Sequence, residues 1–294
     1  MSRTATCLNG GPTVTAGPTT RRRQLGVSLR RLRERKGLSL EEAGALVGLS
    51  KATLSRYETK EGQVKWPLVD ALCREYGVSA EERATLVELA KNAKVQGWWQ
   101  SYTDAIPERT SLLITLENEA TRLDHFSCVY VPGLLQTQAY AETIHRAVAH
   151  DVADDVVARS VAVRMKRQEI LTRENPVEQR VILDESAIRR KVGGSEVMRE
   201  QISHLVECAE RPNITLQVLP FESGAHAAAM DSFLVLVGAD PSLDVVYMEN
   251  LTVSLYVEKS EEVAKYHQAF DYLRQQALGS DTSLELLKKA VREI

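Results

Sequence analysis

The most constraining stretch of this chain runs from Gly37 to Glu58, where two short helical patterns are joined by a turn of about four residues. Ser39-Leu40-Glu41-Glu42 is a capping box, in which a serine hydroxyl and a glutamate carboxylate each accept a backbone N–H that the helix start leaves free. Gly48 closes that helix and supplies the backbone freedom of the turn, with Leu49 expected to plug the turn into the core. Ser50 caps the next helix, which carries Leu54 and Tyr57 inward and ends near Gly62. Gly44 is placed where two helices must cross closely. Three more short helices surround this pair. Leu25, Leu29 and Leu32 repeat at helical spacing before Gly37, Val69, Leu72, Cys73 and Tyr76 precede Gly77, and Ser79-Ala80-Glu81-Glu82 opens the last. Five helices between about Arg21 and Asn92 predict an all-α bundle.

The remaining length demands a second unit, since 294 residues exceed one domain at roughly 150 residues each. Charge divides the chain near residue 94. Residues 1–94 hold 17 Lys or Arg against 10 Asp or Glu, and the rest hold 20 against 30, a basic head on an acidic body. Such a head suits a polyanion, although on charge alone a basic stretch is more often a solvated helix face. With 44% hydrophobic and 26% charged residues, composition speaks against wholesale disorder and against a membrane protein. No apolar run approaches the roughly 18 residues of a spanning helix. Met1–Thr20, rich in Thr, Gly and Pro, reads as a mobile tail without the basic-then-apolar order of a secretory signal, so cytoplasmic residence is expected. Cys7, Cys73, Cys128 and Cys208 lie far apart and are expected to be reduced thiols.

In a helix-turn-helix the second helix enters the DNA major groove with its N-terminal end against the bases. The run Gly37-Leu38-Ser39-Leu40-Glu41-Glu42 through Val47-Gly48-Leu49-Ser50-Lys51-Ala52-Thr53-Leu54-Ser55-Arg56-Tyr57-Glu58 resembles the Xre (phage repressor and Cro-like) DNA-binding family, across all five helices. The resemblance implies base reading by Lys51, Ala52 and Arg56. Lys51 and Arg56 are suited to guanine O6 and N7, and Ala52 to a thymine methyl. Ser50, Thr53 and Ser55 suit phosphates or sugars, which set register without reading sequence. Arg33 and Glu58 match a structural ion pair. One departure is Leu40, where the family often has Gln at the start of the second helix. Arg21, Arg22 and Arg23, with the tail before them, form a candidate arm along phosphates or in the minor groove, against the alternative of a solvated charge run.

The expected organisation is a tail over 1–20, the helix-turn-helix domain over 21–94, an aromatic junction over 95–110 and an α+β body over 111–294. Gln96-Gly97-Trp98-Trp99-Gln100-Ser101-Tyr102 is expected to dock the two domains together, with a base-stacking platform as the alternative. The body reads as helices over 112–126, 136–148 and 152–172, then strands over 180–183, 215–219, 232–237, 244–249 and 253–257 around a helix over 195–209. Helices over 261–278 and 282–293 close it, giving a small mixed or antiparallel sheet with helical cover.

Val131-Pro132-Gly133-Leu134-Leu135-Gln136-Thr137-Gln138-Ala139-Tyr140-Ala141, Arg164 to Gln168, Pro212 to Pro220, Ser232-Phe233 and Val246-Tyr247-Met248-Glu249 resemble the body domain of WhiJ-type, antitoxin-like regulators of actinomycetes. That resemblance implies a transcriptional regulator whose body holds a very small protein encoded nearby. Pro132-Gly133 reads as a tight turn that serves scaffold or interface alike. Arg164, Arg167, Glu185, His226 and Glu249 are a candidate ligand or partner pocket, with buried structural ion pairs as the plainer account of them. His150 with Asp151, Asp154 and Asp155 reads as a helix cap ahead of a cation site. Six histidines include no His-Glu-x-x-His, and no Gly-x-Ser-x-Gly or phosphate-cradling glycine loop accompanies them, so no catalytic residue, metal or cofactor is expected. The whole reads as a homodimeric regulator, a repressor, of a double-stranded DNA operator. The alternative is a body that senses a small molecule or acts as an enzyme.

Overall fold

The leucine stripe Leu25, Leu29 and Leu32 is almost fully buried in the computed structural model, which describes residues 20–59, 64–91, 108–148, 151–228, 231–250 and 253–294. It belongs to α1 (Thr20–Arg35), around which α2 (Leu40–Leu46), α3 (Lys51–Glu58), α4 (Trp66–Glu75) and α5 (Ala80–Lys91) assemble. Leu54, Val69, Leu72, Cys73 and Leu86 complete the core of this helical head. Burial pushes the Cys73 thiol up to about 11, as expected of a packing cysteine. Gly37, Gly48 and Gly77 follow α1, α2 and α4 at positive φ. At Gly26 the demand is for close approach. A Cβ there would stand 2.7 Å from the Tyr57 carbonyl oxygen and 3.0 Å from that of Glu58, where α1 crosses the end of α3. Gly26→Ala is therefore expected to lose about 1–3 kcal/mol to overpacking, partly offset by up to about 1 kcal/mol of helix propensity. Urea unfolding of the head checks this, and an unmoved midpoint would mean that the two helices can separate without loss.

The acidic body forms α6 (Glu108–Glu119), β1 (Arg122–Ser127), α7 (Gln138–Val148), α8 (Asp154–Arg167) and β2 (Glu178–Asp184). There follow α9 (Glu185–Arg189), α10 (Gly194–Ala209), β3 (Ile214–Leu219), β4 (Phe233–Val237), β5 (Val245–Glu249), β6 (Ser254–Val257), α11 (Ser260–Gln276) and α12 (Ser280–Glu293). The sheet is mixed, with order β3-β2-β1-β4-β5-β6. The β1–β2 and β2–β3 pairs are parallel and the other three antiparallel. Parallel neighbours need long crossovers, and α7–α8 and α9–α10 provide them.

Alternation along the strands splits the core. Leu123, Leu234 and Leu236 pack on one face with α10 and α12, while Phe126, Phe233 and Val235 pack on the other with Phe270 and Leu273 of α11. This corrects one sequence expectation. The helix expected over 112–126 ends at Glu119, and its last part is β1, in the middle of the sheet. Leu123 and Phe126, three residues apart, continue the helical stripe of Leu113 and Leu116 in sequence. In a strand the same spacing sends them to opposite faces, and a central strand needs both.

The tail before Thr20 and the aromatic run Gln96–Tyr102 lie outside the described residues. The head meets the body through α1, which packs against α6 and against the Pro241–Leu243 turn between β4 and β5. In that turn the Ser242 hydroxyl and amide hold the Asp240 carboxyl below its usual range, with a further contribution from Arg31 of α1.

Candidate functional site

The turn between α2 and α3 is built as its residues require. The Ser39 hydroxyl accepts from Glu42 N at 3.2 Å, and the Glu42 carboxylate accepts from Ser39 N at 2.8 Å. Leu49 N donates to the Gly44 carbonyl at 2.8 Å, and a Cβ on Gly44 would lie 2.6 Å from the Leu49 carbonyl oxygen. Gly44 thus faces the backbone of the turn, not a second helix as the sequence suggested. Leu49 is half-buried and outside the head's central cluster, and Leu40 packs against that cluster instead, so the departure from Gln adds apolar contact.

On α3 the buried side is Leu54 and Glu58, and Lys51, Ala52 and Arg56 are exposed. These three share one open end and face of the helix, as base reading needs. Ser50 accepts from Thr53 N at 3.2 Å, and the two hydroxyls lie 2.9 Å apart, so both side chains also serve the cap. Ser55 is half-exposed beside Arg56. The frame is fixed from behind. Arg33 Nε and Nη2 donate to the two Glu58 oxygens at 2.8 Å each, and Nη1 donates to the Leu38 carbonyl at 2.7 Å. Both side chains are buried, and the hydrogen bonds to Glu58 lead in raising the Arg33 pKa. One bidentate pair therefore ties α1, the segment before α2 and α3 together. Arg21, Arg22 and Arg23 fall in the first turns of α1.

In the body the candidate pocket separates into two places. Arg167 donates through Nε and Nη2 to Glu117 of α6 at 2.9 and 2.7 Å, with both side chains buried. Burial opposes the Arg167 charge, and Glu117 outweighs it. Arg164 donates to Gln136 Oε1 at 2.7 Å, and burial, then the neighbouring Arg167, lower it to about 10. Glu249, exposed at the end of β5, acts on Arg164 only through its field. His125 and His145 lie near this pair, and burial holds both at about 4. Glu185 sits elsewhere, at the exit of β2, where it pairs with Arg189 at 3.0 Å and accepts from Phe221 N at 3.1 Å. His226 packs its ring on Phe126, on the opposite face of the sheet from Arg167. The five residues expected together are thus not one site. The helices and loops that carry them cover different faces and ends of the sheet, which strand order decides and local sequence does not show.

The Pro132-Gly133 turn is held from inside by the residues around it. A Gly133 Cβ would meet Arg164 Nη1 at 3.1 Å. Gln168 Nε2 donates to the Gly133 and Gln136 carbonyls, and Gln201 bonds the Leu135 carbonyl and Thr137 N. Two motif segments distant in sequence, Val131 to Ala141 and Arg164 to Gln168, are one buried hydrogen-bonded unit. Sequence reasoning missed Glu117, although a carboxylate next to Leu116 on an apolar helix stripe was the available signal. Asp154 and Asp155 open α8 and pair with Arg146 at 2.6 Å and Arg159 at 3.2 Å.

Residues 24–86 match the model of a helix-turn-helix domain, which points to DNA binding, and residues 110–289 match the model of a domain of unknown function, DUF5753. No curated protein and no solved structure matches the chain. No helix among the described residues is long and apolar enough to cross a membrane.

Proposed function

Because this chain belongs to the DUF5753 family and carries a helix-turn-helix domain ahead of the family's own domain, we propose that it is a sequence-specific transcriptional regulator, a repressor, acting in the cytoplasm as a homodimer. The observation that carries the reading is the exposure of Lys51, Ala52 and Arg56 on one end of a helix that Ser50 caps and the Arg33–Glu58 pair anchors. Two such heads on a two-fold axis would read half-sites about 34–36 Å apart, or multiples of that spacing.

The body serves as dimerisation and partner-binding module and not as an enzyme. The charged residues that could have supplied chemistry are engaged structurally, Arg167 with Glu117, Arg164 with Gln136 and Glu185 with Arg189. The resemblance to antitoxin-like regulators supplies the idea of a small protein partner. The contact of α1 with the Pro241–Leu243 turn offers a route from such a partner to the head, since α1 also packs on α3.

Selection of bound DNA from a random duplex pool at about 150 mM salt should yield a palindrome. On that site Arg56→Ala is expected to cost about 1–3 kcal/mol and to relax preference at one position per half-site. An operator bound equally well by Arg56→Ala would remove α3 as the reading helix.

A further inference from the structure

The geometry points to a docking edge for an acidic, aromatic-bearing segment of a partner protein, built where the parallel strands β1 and β3 end. The inference rests on the reading of the body as a partner-binding module. β1 leaves the sheet into a tight turn in which Ser127 Oγ donates to the Tyr130 carbonyl at 2.6 Å. That turn presents Val129 and Tyr130, 37% and 38% exposed. β3 leaves through Pro220 into a single 3-10 turn that presents Phe221, 57% exposed. The start of α9 fastens the two exits to each other. Ser186 Oγ donates to the Cys128 carbonyl, and the Glu185 carboxylate accepts from Phe221 N. The apolar side chains are therefore held on a braced frame, which lowers the ordering cost of binding. Ser223 Oγ then donates to the Gln276 carbonyl at 3.2 Å, joining this edge to α11. There Tyr272, 52% exposed, and His226 line an open cleft of about 400 Å³.

Charge selects the occupant. Arg189 takes both Glu185 and Glu293, while Arg190 and Lys191 after it are exposed and have no ion pair among the described residues. α9 spans only Glu185–Arg189 and its Ser186 bonds the Cys128 carbonyl, so Arg190 and Lys191 follow directly on the short brace that holds the apolar turn. Residues 95–294 carry 20 basic against 30 acidic residues, so a cationic border here runs against the charge of its own domain. Apolar and aromatic anchors with a cationic border fit a segment that brings its own rings and carboxylates. Glu222 is exposed beside Phe221, so the partner's acids belong at the Tyr130 end. A DNA backbone would use the cations but has no use for Val129 and Phe221.

The test pans a phage-displayed random peptide pool on the full-length protein. The enriched peptides are then titrated by fluorescence anisotropy against wild type, Tyr130→Ala/Phe221→Ala and Arg190→Glu/Lys191→Glu. Acidic, aromatic peptides should be enriched and should bind each variant about tenfold or more weakly, with circular dichroism and operator affinity unchanged. Because Arg190 and Lys191 are surface groups, their variant remains informative even if the Tyr130/Phe221 variant folds poorly. Peptides that bind wild type and variants alike would overturn the edge and leave a partner-binding body standing. A pool that yields nothing would overturn both. A smaller sedimenting mass for Tyr130→Ala/Phe221→Ala would reassign the edge to contact between copies, and weaker duplex binding by Arg190→Glu/Lys191→Glu would reassign it to nucleic acid. Either result overturns the proposal.

Discussion

Glu117→Leu should destabilise the body by about 3–5 kcal/mol, the loss typical of breaking a buried ion pair from one side. The carboxylate is 2% exposed and is the one acidic group hydrogen-bonded to Arg167 among the described residues. Its removal leaves a buried guanidinium whose neighbour Arg164 carries the same charge, with Glu249, which acts on both through its field, as the carboxylate left to oppose them. Arg167→Met alone should cost a similar amount, because Glu117 is then the stranded charge. Glu117→Leu combined with Arg167→Met should recover most of the loss, since an apolar pair of similar volume carries no desolvation penalty. Urea unfolding of the four proteins measures this as a double-mutant cycle. Additive losses in the double variant would show that the two residues do not act as a pair.

Acid should unfold the body before most carboxylates titrate. His125 and His145 are held at about 4 against an ordinary 6.5, in both cases first by burial and then by the neighbouring arginines. Above pH 6.5 both imidazoles are neutral in either state and stability is unaffected. Between pH 6.5 and 4 the unfolded chain takes up protons that the folded chain refuses, so stability falls as pH falls. At 1.36 kcal/mol per pH unit the effect of His125 alone is on the order of 3 kcal/mol, and His145 adds to it in the same direction. Thermal midpoints of wild type and of His125→Leu/His145→Leu should therefore diverge from parallel between pH 7 and 4.5, with the variant flatter. Parallel curves would show that neither histidine is protonated only on unfolding.

How much was legible beforehand depended on whether the signal was local. The capping box at Ser39–Glu42, the turn at Gly48 and the cap at Ser50 are contacts within four residues, and each stands as the spacing requires. The Arg33–Glu58 pair is distant in sequence, and only the family resemblance assigned it. In the body, strands of β-branched and aromatic residues were readable where turn signals bounded them. β1 was not, because Leu123 and Phe126 extend the helical period of the segment before it.

Sequence alone determined the head's helices and the opposite charges of head and body, since periodicity, caps and composition are written locally. Only the tertiary structure decided that Arg164 and Arg167 lie apart from Glu185 and His226, that Gln136, Gln168 and Gln201 clamp one turn, and that Val129, Tyr130 and Phe221 share an edge. Those relations depend on strand order and register. A one-residue change of register exchanges the faces of a strand without altering its sequence.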